Sequence, residues 1–326
     1  MNTQLFEQLH NEGLVTDSSF EKIKEDDSKQ LFSIHWEIKT LLYLGVLLLS
    51  GGLGILIYKN IDTIGHQAIL TFIAAVFACA FYYCGKTKLP FSTAKVESPN
   101  VYFDYVLLLG CLTFVSFIAY LQFQYNVFGT RYGLATFFPM LVLFFSAYFF
   151  DHLGVLSLAI TNLAAWIGIT VTPSQLLLVN DFNSSTIIYS GLFLGALLIA
   201  LAFISKQKKW KHHFEFTYAN FGTHVLFISC LSAMFQFDSI YLVWFLLLAG
   251  LAFFSYTRSM QTKSFYFLLV TTLYTYIGIS YVAIRFLVSI GGYDMGPVYL
   301  GLLYFIMSGI GLVLFLISSN RKIKAL

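Results

Sequence analysis

The sequence predicts an all-α protein, a polytopic transmembrane helical bundle of about ten spans with a short N-terminal cytosolic helical hairpin. Two observations lead to this fold class. Of the 326 residues, 58% are hydrophobic and only 11% are charged, whereas a soluble domain carries about 25% charged residues. The hydrophobic residues also fall in runs of about twenty, the length that a helix needs to cross the hydrocarbon core of a bilayer. We therefore expect a multi-pass protein whose main partner is the lipid bilayer.

Residues 1–38 are polar and predict the cytosolic hairpin. Apolar residues at helical spacing precede Gly13, which ends a first helix. Thr16-Asp17 can cap a second helix that has Phe20 on its apolar side. A hairpin this short cannot bury a core of its own. It either packs on the membrane domain, on a second copy or on a protein partner, or it is a solvated leader.

The transmembrane domain covers residues 39–318, and residues 319–326 form a basic cytosolic tail. The predicted spans are 40–58, 66–85, 104–124, 132–150, 153–171, 185–205, 217–236, 239–257, 264–287 and 298–318. Only Asp151-His152 separates the fourth span from the fifth. This spacing favours a tight helical hairpin over a re-entrant pair, because each half is long enough to cross the bilayer.

The distribution of basic residues supports an even number of spans. With the N-terminus in the cytoplasm, 16 of the 19 Lys and Arg residues fall on the cytoplasmic side and 3 fall outside. Positive charge concentrates on the cytoplasmic side of membrane proteins, so we expect both termini there. Such a strong bias is typical of a bacterial cytoplasmic, or inner, membrane. The densest basic loop predicts contacts with anionic lipid at Lys206, Lys208, Lys209 and Lys211.

Polar residues within or beside the spans are candidates for a binding site or polar cavity, because ionisable groups at membrane depth are costly. Asp151 and His152 form an acid–histidine pair that could relay protons, although a solvated turn is the simpler interpretation. Asn220 and His224 share one face of the seventh span, where they could instead serve interhelical hydrogen bonding. Asn162 in the fifth span belongs to the same class.

Arg285 departs from the charge pattern, because it lies near the outer end of the ninth span. Its side chain could extend to the outer headgroups. Alternatively, it faces a cavity and holds an anionic group, for which the planar guanidinium is well suited.

Motifs for chemistry are missing from the sequence. It contains no His-Glu-x-x-His, no Gly-x-Ser-x-Gly and no phosphate-binding loop. We therefore predict no metal, no cofactor and no catalytic residue, and the formal charge of +3 gives no indication of nucleic acid binding.

The N-terminal residues resemble a known family. The segment Leu9-His-Asn-Glu-Gly-Leu-Val-Thr16 is followed by a short polar helix and a Gly-rich first span that ends in Asn60-Ile61-Asp62. This order resembles the predicted bacterial membrane proteins of the domain of unknown function, family 2157, over about residues 1–85. Members usually have Trp where this chain has Ile61. The resemblance implies a membrane protein and carries no catalytic residue.

Three functions fit these observations. The first is a transporter or permease for a small solute. The second is a non-enzymatic scaffold or assembly partner that acts through the cytosolic hairpin, alone or as a homo-oligomer. The third is a membrane-embedded enzyme that modifies lipids or glycans, which the short outer loops disfavour. A cavity that reaches the middle of the bilayer would favour the first.

Overall fold

The computed structural model describes residues 35–59, 65–100, 102–171, 184–291 and 296–325, together with residues 10, 12, 15–17 and 19–21. These residues form helices, turns and irregular segments and no strand, which confirms the all-α class. The long helices are α1 His35–Lys59, α2 His66–Thr87, α3 Phe103–Tyr125, α4 Tyr132–Phe150, α5 Leu153–Val171, α6 Ser185–Lys208, α7 Phe214–Gln236, α8 Tyr241–Gln261, α9 Phe265–Gly291 and α10 Gly296–Ala325. A 3-10 turn, Asp238–Ile240, precedes α8.

The described helices confirm a polytopic membrane protein. Helices α2 to α10 comprise 9 segments that are long and apolar enough to cross a membrane, and α1 adds a shorter apolar stretch, Thr40–Ile55. Large apolar side chains cover the outer faces of these helices. On α10, none of the most hydrophobic window is buried inside the protein. A surface this apolar requires lipid around it.

Residues 1–60 form a compact unit by themselves. Most of the predicted hairpin lies outside the described residues. In the part that is described, the carbonyl of Thr16 accepts hydrogen bonds from the amides of Ser19 and Phe20 at 3.0 and 2.9 Å. The ring of His10 stacks on Phe20 at 4.5 Å, and its Nε2 lies 2.7 Å from Asp17 Oδ1.

Residues 61–326 form the second unit, in which each helix packs mainly on its neighbours in the chain. Helices α6 and α7 make the closest antiparallel pair. A Cβ atom on Gly195 would lie 2.9 Å from the amide nitrogen of Leu226, and one on Gly222 would lie 3.1 Å from the Gly195 carbonyl oxygen. Small residues therefore let the two backbones approach within this chain.

At one end of this unit, polar contacts connect the turns between the helices. We call this end of the unit the basic end. It comprises residues 88–100, 151–152, 209–213 and 262–264. Near it lie Lys86, Lys88, Lys95, Lys206, Lys208, Lys209, Lys211, Arg258 and Lys263, whereas Arg131 and Arg285 lie at the opposite end. By the charge rule, the basic end is the one predicted to face the cytoplasm.

Candidate functional site

A buried carboxylate organises the centre of the basic end. Asp151 is 2% exposed, and its Oδ2 lies 3.1 Å from Nζ of Lys211, which is 1% exposed. Its Oδ1 accepts a hydrogen bond at 2.6 Å from Nε2 of His213. Its Oδ2 also accepts the amide N–H of Val96 at 2.5 Å. We call Asp151, Lys211 and His213 the sealed cluster.

The sealed cluster holds the segment 88–100 against the helix ends. The backbone amide of Lys211 donates to the Thr93 carbonyl at 2.8 Å, and its Nζ donates to the Ala94 carbonyl at 3.4 Å. The same Nζ lies 5.1 Å from the centre of the Phe91 ring. The Asp151–Lys211 ion pair therefore connects segment 88–100, the turn at 151–152 and the turn at 209–213, which are distant from one another in the chain.

Backbone geometry at the α4–α5 turn places Asp151 in this position. Asp151 ends α4 in the left-handed conformation, with φ of 59°, and its amide donates to the Ala147 carbonyl. Short polar side chains are among the few that tolerate this conformation. His152 then caps α5, because its Nδ1 accepts the Val155 amide at 3.1 Å. The two residues thus join two full-length helices as a tight hairpin.

The interpretation of Asp151-His152 as a solvated turn is wrong. Both side chains are buried, because segment 88–100 covers the turn. His152 Nε2 lies 3.8 Å from Oδ1 of Asp104, at the start of α3.

A second carboxylate lies nearby and is partly exposed. Glu215, in the first turn of α7, is 15% exposed, and its Oε1 accepts a hydrogen bond at 3.0 Å from a terminal nitrogen of Arg258 on α8. Nζ of Lys206 lies 3.6 Å from Oε1, and Nδ1 of His212 lies 3.3 Å from Oε2. We call these four residues the mouth cluster.

Three members of the mouth cluster, His212, Glu215 and Arg258, line the charged end of a cavity of about 1030 Å³, at the upper end of the size range of small-molecule sites. We call this end the entrance. Helices α6, α7 and α8 provide most of the wall, with contributions from the start of α9 and from Ala94 and Lys95 of segment 88–100. His213 also lines the entrance, so the sealed cluster borders the cavity.

The cavity extends from the basic end to the middle of the helices. Glu215 at the entrance and Leu226 at the inner end both lie on α7, separated by about 16 Å at 1.5 Å per residue. The inner wall is apolar and includes Ile199, Phe227 and Leu251. The entrance carries the charges of Lys95, Lys209, Glu215 and Arg258. Polarity therefore falls with depth.

The predicted pair Asn220 and His224 lies between α7 and α9, outside the cavity lining. Tyr266 donates a hydrogen bond to Oδ1 of Asn220 at 2.8 Å, and its hydroxyl is 3.1 Å from Nε2 of His224. Nδ1 of His224 lies 2.8 Å from the hydroxyl of Tyr274. The structure brings these predicted residues together, and their partners are tyrosines on the neighbouring helix.

Arg285 and Asn162 also lie away from the cavity. Arg285 pairs with Asp238 at the opposite end of the unit, donates to the Tyr281 hydroxyl at 2.8 Å and stacks at 4.5 Å over the Tyr241 ring. Asn162 donates from Nδ2 to the Leu158 carbonyl of its own helix at 3.2 Å. These contacts pair the Arg285 guanidinium near the C-terminal end of α9 and hold the Asn162 amide against its own helix.

The predicted lipid-binding lysines divide into two groups. Lys206, Lys208 and Lys209 are exposed. Lys211 is buried in the sealed cluster, so the prediction that it meets a lipid headgroup is wrong. Its φ of 47° turns the chain inward after α6, and no sequence pattern marked that turn.

Sequence reasoning missed Glu215 and Arg258 as a pair. They come from different helices, and each taken alone resembles an ordinary residue at a membrane interface. One signal was present, because Glu215 follows the basic segment 206–213 and lies three residues after His212.

The geometry can be compared with known proteins. Residues 7–156 match the family model described as "Predicted membrane protein (DUF2157)", so this part of the chain is similar to that family. The resemblance seen over about residues 1–85 is thereby confirmed and reaches the start of α5. No curated protein and no solved structure matches the chain.

Proposed function

We propose that the chain is a permease-type transporter that admits a small solute into the cavity from the basic end. The observation that carries this proposal is the depth of the cavity, from the charged entrance at Glu215 to Leu226 in the middle of α7. A transporter needs a site near the bilayer midplane that solute can reach from one side at a time. A scaffold has no need for such a cavity.

Segment 88–100 supports the proposal, because it lies at the entrance. Ala94 and Lys95 line the cavity, while Ala94 and Val96 are bonded to the sealed cluster. The segment is therefore fixed at one border of the entrance by a buried ion pair. The other border, at Arg258, is held by the partly exposed ion pair between Arg258 and Glu215.

Thiol labelling tests the proposal without knowledge of the solute. A Cys79→Ser background removes the exposed native thiol, and the other cysteines, Cys84, Cys111 and Cys230, are buried. Ser255→Cys and Leu226→Cys then probe the cavity, because both positions line it. The matched control is Leu197→Cys, on the exposed outer face of α6.

A membrane-impermeant methanethiosulfonate is applied to intact bacterial cells and to inside-out vesicles that contain each variant. We expect rapid labelling of Ser255→Cys in inside-out vesicles, and labelling of Leu226→Cys from both sides. Labelling of Ser255→Cys no faster than that of Leu197→Cys would contradict an open cavity. Labelling of Leu226→Cys from the basic end alone would contradict transport.

A further inference from the structure

The cavity combines two environments that few small solutes match. Its entrance is polar and charged, whereas its inner wall consists mainly of alanine, aliphatic and phenylalanine side chains. A fully polar solute would lose its hydration in the inner part and gain few hydrogen bonds in return. A fully apolar solute would do nothing to compensate the net positive charge of the entrance, where Lys95, Lys209 and Arg258 face one carboxylate, Glu215. The lining therefore fits a molecule that has a polar head and an apolar tail.

The charge at the entrance determines the sign of the head. Lys95, Lys209 and Arg258 line it, and Glu215 is the one carboxylate among the described lining residues. Glu215 is already engaged, since Arg258 and Lys206 both approach it within 4 Å. The remaining positive charge favours an anion, and the planar guanidinium of Arg258 suits a carboxylate or a phosphate.

The shape of the inner cavity favours a chain over a compact body. Phe203 on α6 and Phe254 on α8 line it while being 52% and 54% exposed, so both rings also face the surroundings of the bundle. Because α7 packs against both of these helices, it forms the floor between them. The cavity is thus a groove along α7 whose two rims, at Phe203 and Phe254, are exposed on the outer surface of these helices.

We propose that the solute is an anionic amphiphile, a carboxylate or phosphate head joined to one alkyl chain. The head lies at Arg258, Lys209 and Lys95, and the chain runs along α7 between Phe203 and Phe254. Such a molecule reaches the site from the leaflet at the basic end, because its chain is already in the lipid. This substrate class rests on the proposed transport function, although the binding site can be tested alone.

Dodecyl phosphate is a suitable probe, because it joins a phosphate to a single saturated chain. Radiolabelled probe is titrated into the full chain in phosphatidylcholine nanodiscs, and binding to empty nanodiscs is subtracted to remove simple partitioning into lipid. Inorganic phosphate tests the head alone. Dodecyl phosphocholine tests the chain with a head of no net charge.

Two pairs of variants separate head from tail. Arg258→Gln removes the central cation, and its control is Lys208→Gln, an exposed lysine at the same end that does not line the cavity. Ala200→Trp fills the groove, and its control is Leu197→Trp on the outer face of the same helix. If Arg258→Gln fails to fold, Lys209→Asn is the second choice, because Asn tolerates the φ of 53° at that position.

We expect saturable binding of dodecyl phosphate that Arg258→Gln and Ala200→Trp each weaken by roughly tenfold or more, with both controls unchanged. The proposed anionic amphiphile would be wrong if inorganic phosphate or dodecyl phosphocholine bound as tightly as dodecyl phosphate. It would also be wrong if dodecyl phosphate showed no saturable binding. If Leu226→Cys is labelled from both sides yet dodecyl phosphate does not bind, the substrate class fails and transport stands. If dodecyl phosphate binds but Leu226→Cys is reached from one side only, transport fails and the site stands.

Discussion

Two carboxylates at the basic end have nearly the same partners and opposite surroundings. Asp151 meets a lysine and a histidine and is 2% exposed. Glu215 meets a lysine, a histidine and an arginine and is 15% exposed beside an open cavity. Asp151 also accepts a backbone amide from a distant loop, that of Val96.

This difference teaches that access to solvent separates the two roles. A buried charge must keep its partner, because its desolvation cost is otherwise uncompensated. An accessible charge can exchange its partner for water or for a ligand at small cost. We infer that the sealed cluster maintains the architecture of the entrance, whereas the mouth cluster can engage a solute.

The largest expected effect comes from Asp151→Asn. Asn retains the left-handed backbone and an acceptor for the Val96 amide, but it leaves the charge of Lys211 buried without a counter-ion. The free energy of unfolding should fall by about 3–5 kcal/mol, as measured by titration with SDS in mixed micelles. A loss of unfolding free energy under about 1 kcal/mol would mean that water reaches the Lys211 ammonium and that the cluster is not closed to solvent.

The double variant Asp151→Asn/Lys211→Met sharpens the same point. Removing both charges abolishes the unpaired ammonium, and Met keeps an apolar stem of similar length. The double variant should therefore be more stable than Asp151→Asn alone, since buried ion pairs are often replaceable by apolar groups. The single variant Lys211→Met completes the comparison in the same SDS titration. If the double variant loses as much unfolding free energy as the two single variants together, the two charges do not interact.

Glu215→Gln is the matched change at the mouth cluster. Arg258 and Lys206 lose an anionic partner but can be hydrated, because their side chains are 24% and 50% exposed. The unfolding free energy should fall by about 1 kcal/mol or less. A loss as large as that of Asp151→Asn would remove the distinction between the two clusters.

Arg285→Gln should have the smallest effect. Its partner Asp238 is 74% exposed, and an exposed ion pair contributes little to stability because water solvates both charges. Binding of dodecyl phosphate should be unchanged, because Arg285 lies at the end opposite the cavity entrance. A tenfold loss of binding in the nanodisc titration would instead place Arg285 in the solute pathway.

The helices could be predicted from sequence because the bilayer sets their length. Helices α4 and α5 have the bounds of the predicted spans, 132–150 and 153–171. Polar or glycine-containing turns end most apolar runs, so the local hydrophobicity of the chain is enough to predict where most helices begin and end. Helices α6 and α10 continue beyond the predicted ends, through Lys208 and Ala325, because basic residues at an interface remain helical.

The clusters could not be predicted, because their members are distant in sequence. Lys211 reaches the Ala94 carbonyl across 117 residues, and Arg258 reaches Glu215 across 43. No local periodicity records such pairings. The shared face of Asn220 and His224 was visible from their spacing, whereas Tyr266 and Tyr274 could be identified as their partners only in the folded bundle.

A density map of the full chain in phosphatidylcholine nanodiscs, determined with dodecyl phosphate, tests the central claim most directly. The account predicts an elongated density along α7 between Phe203 and Phe254, with its head next to Arg258, and an intact Asp151–Lys211 pair closed to ligand. A cavity that is collapsed and empty, or a head bound at Asp151 and Lys211 instead, would contradict it.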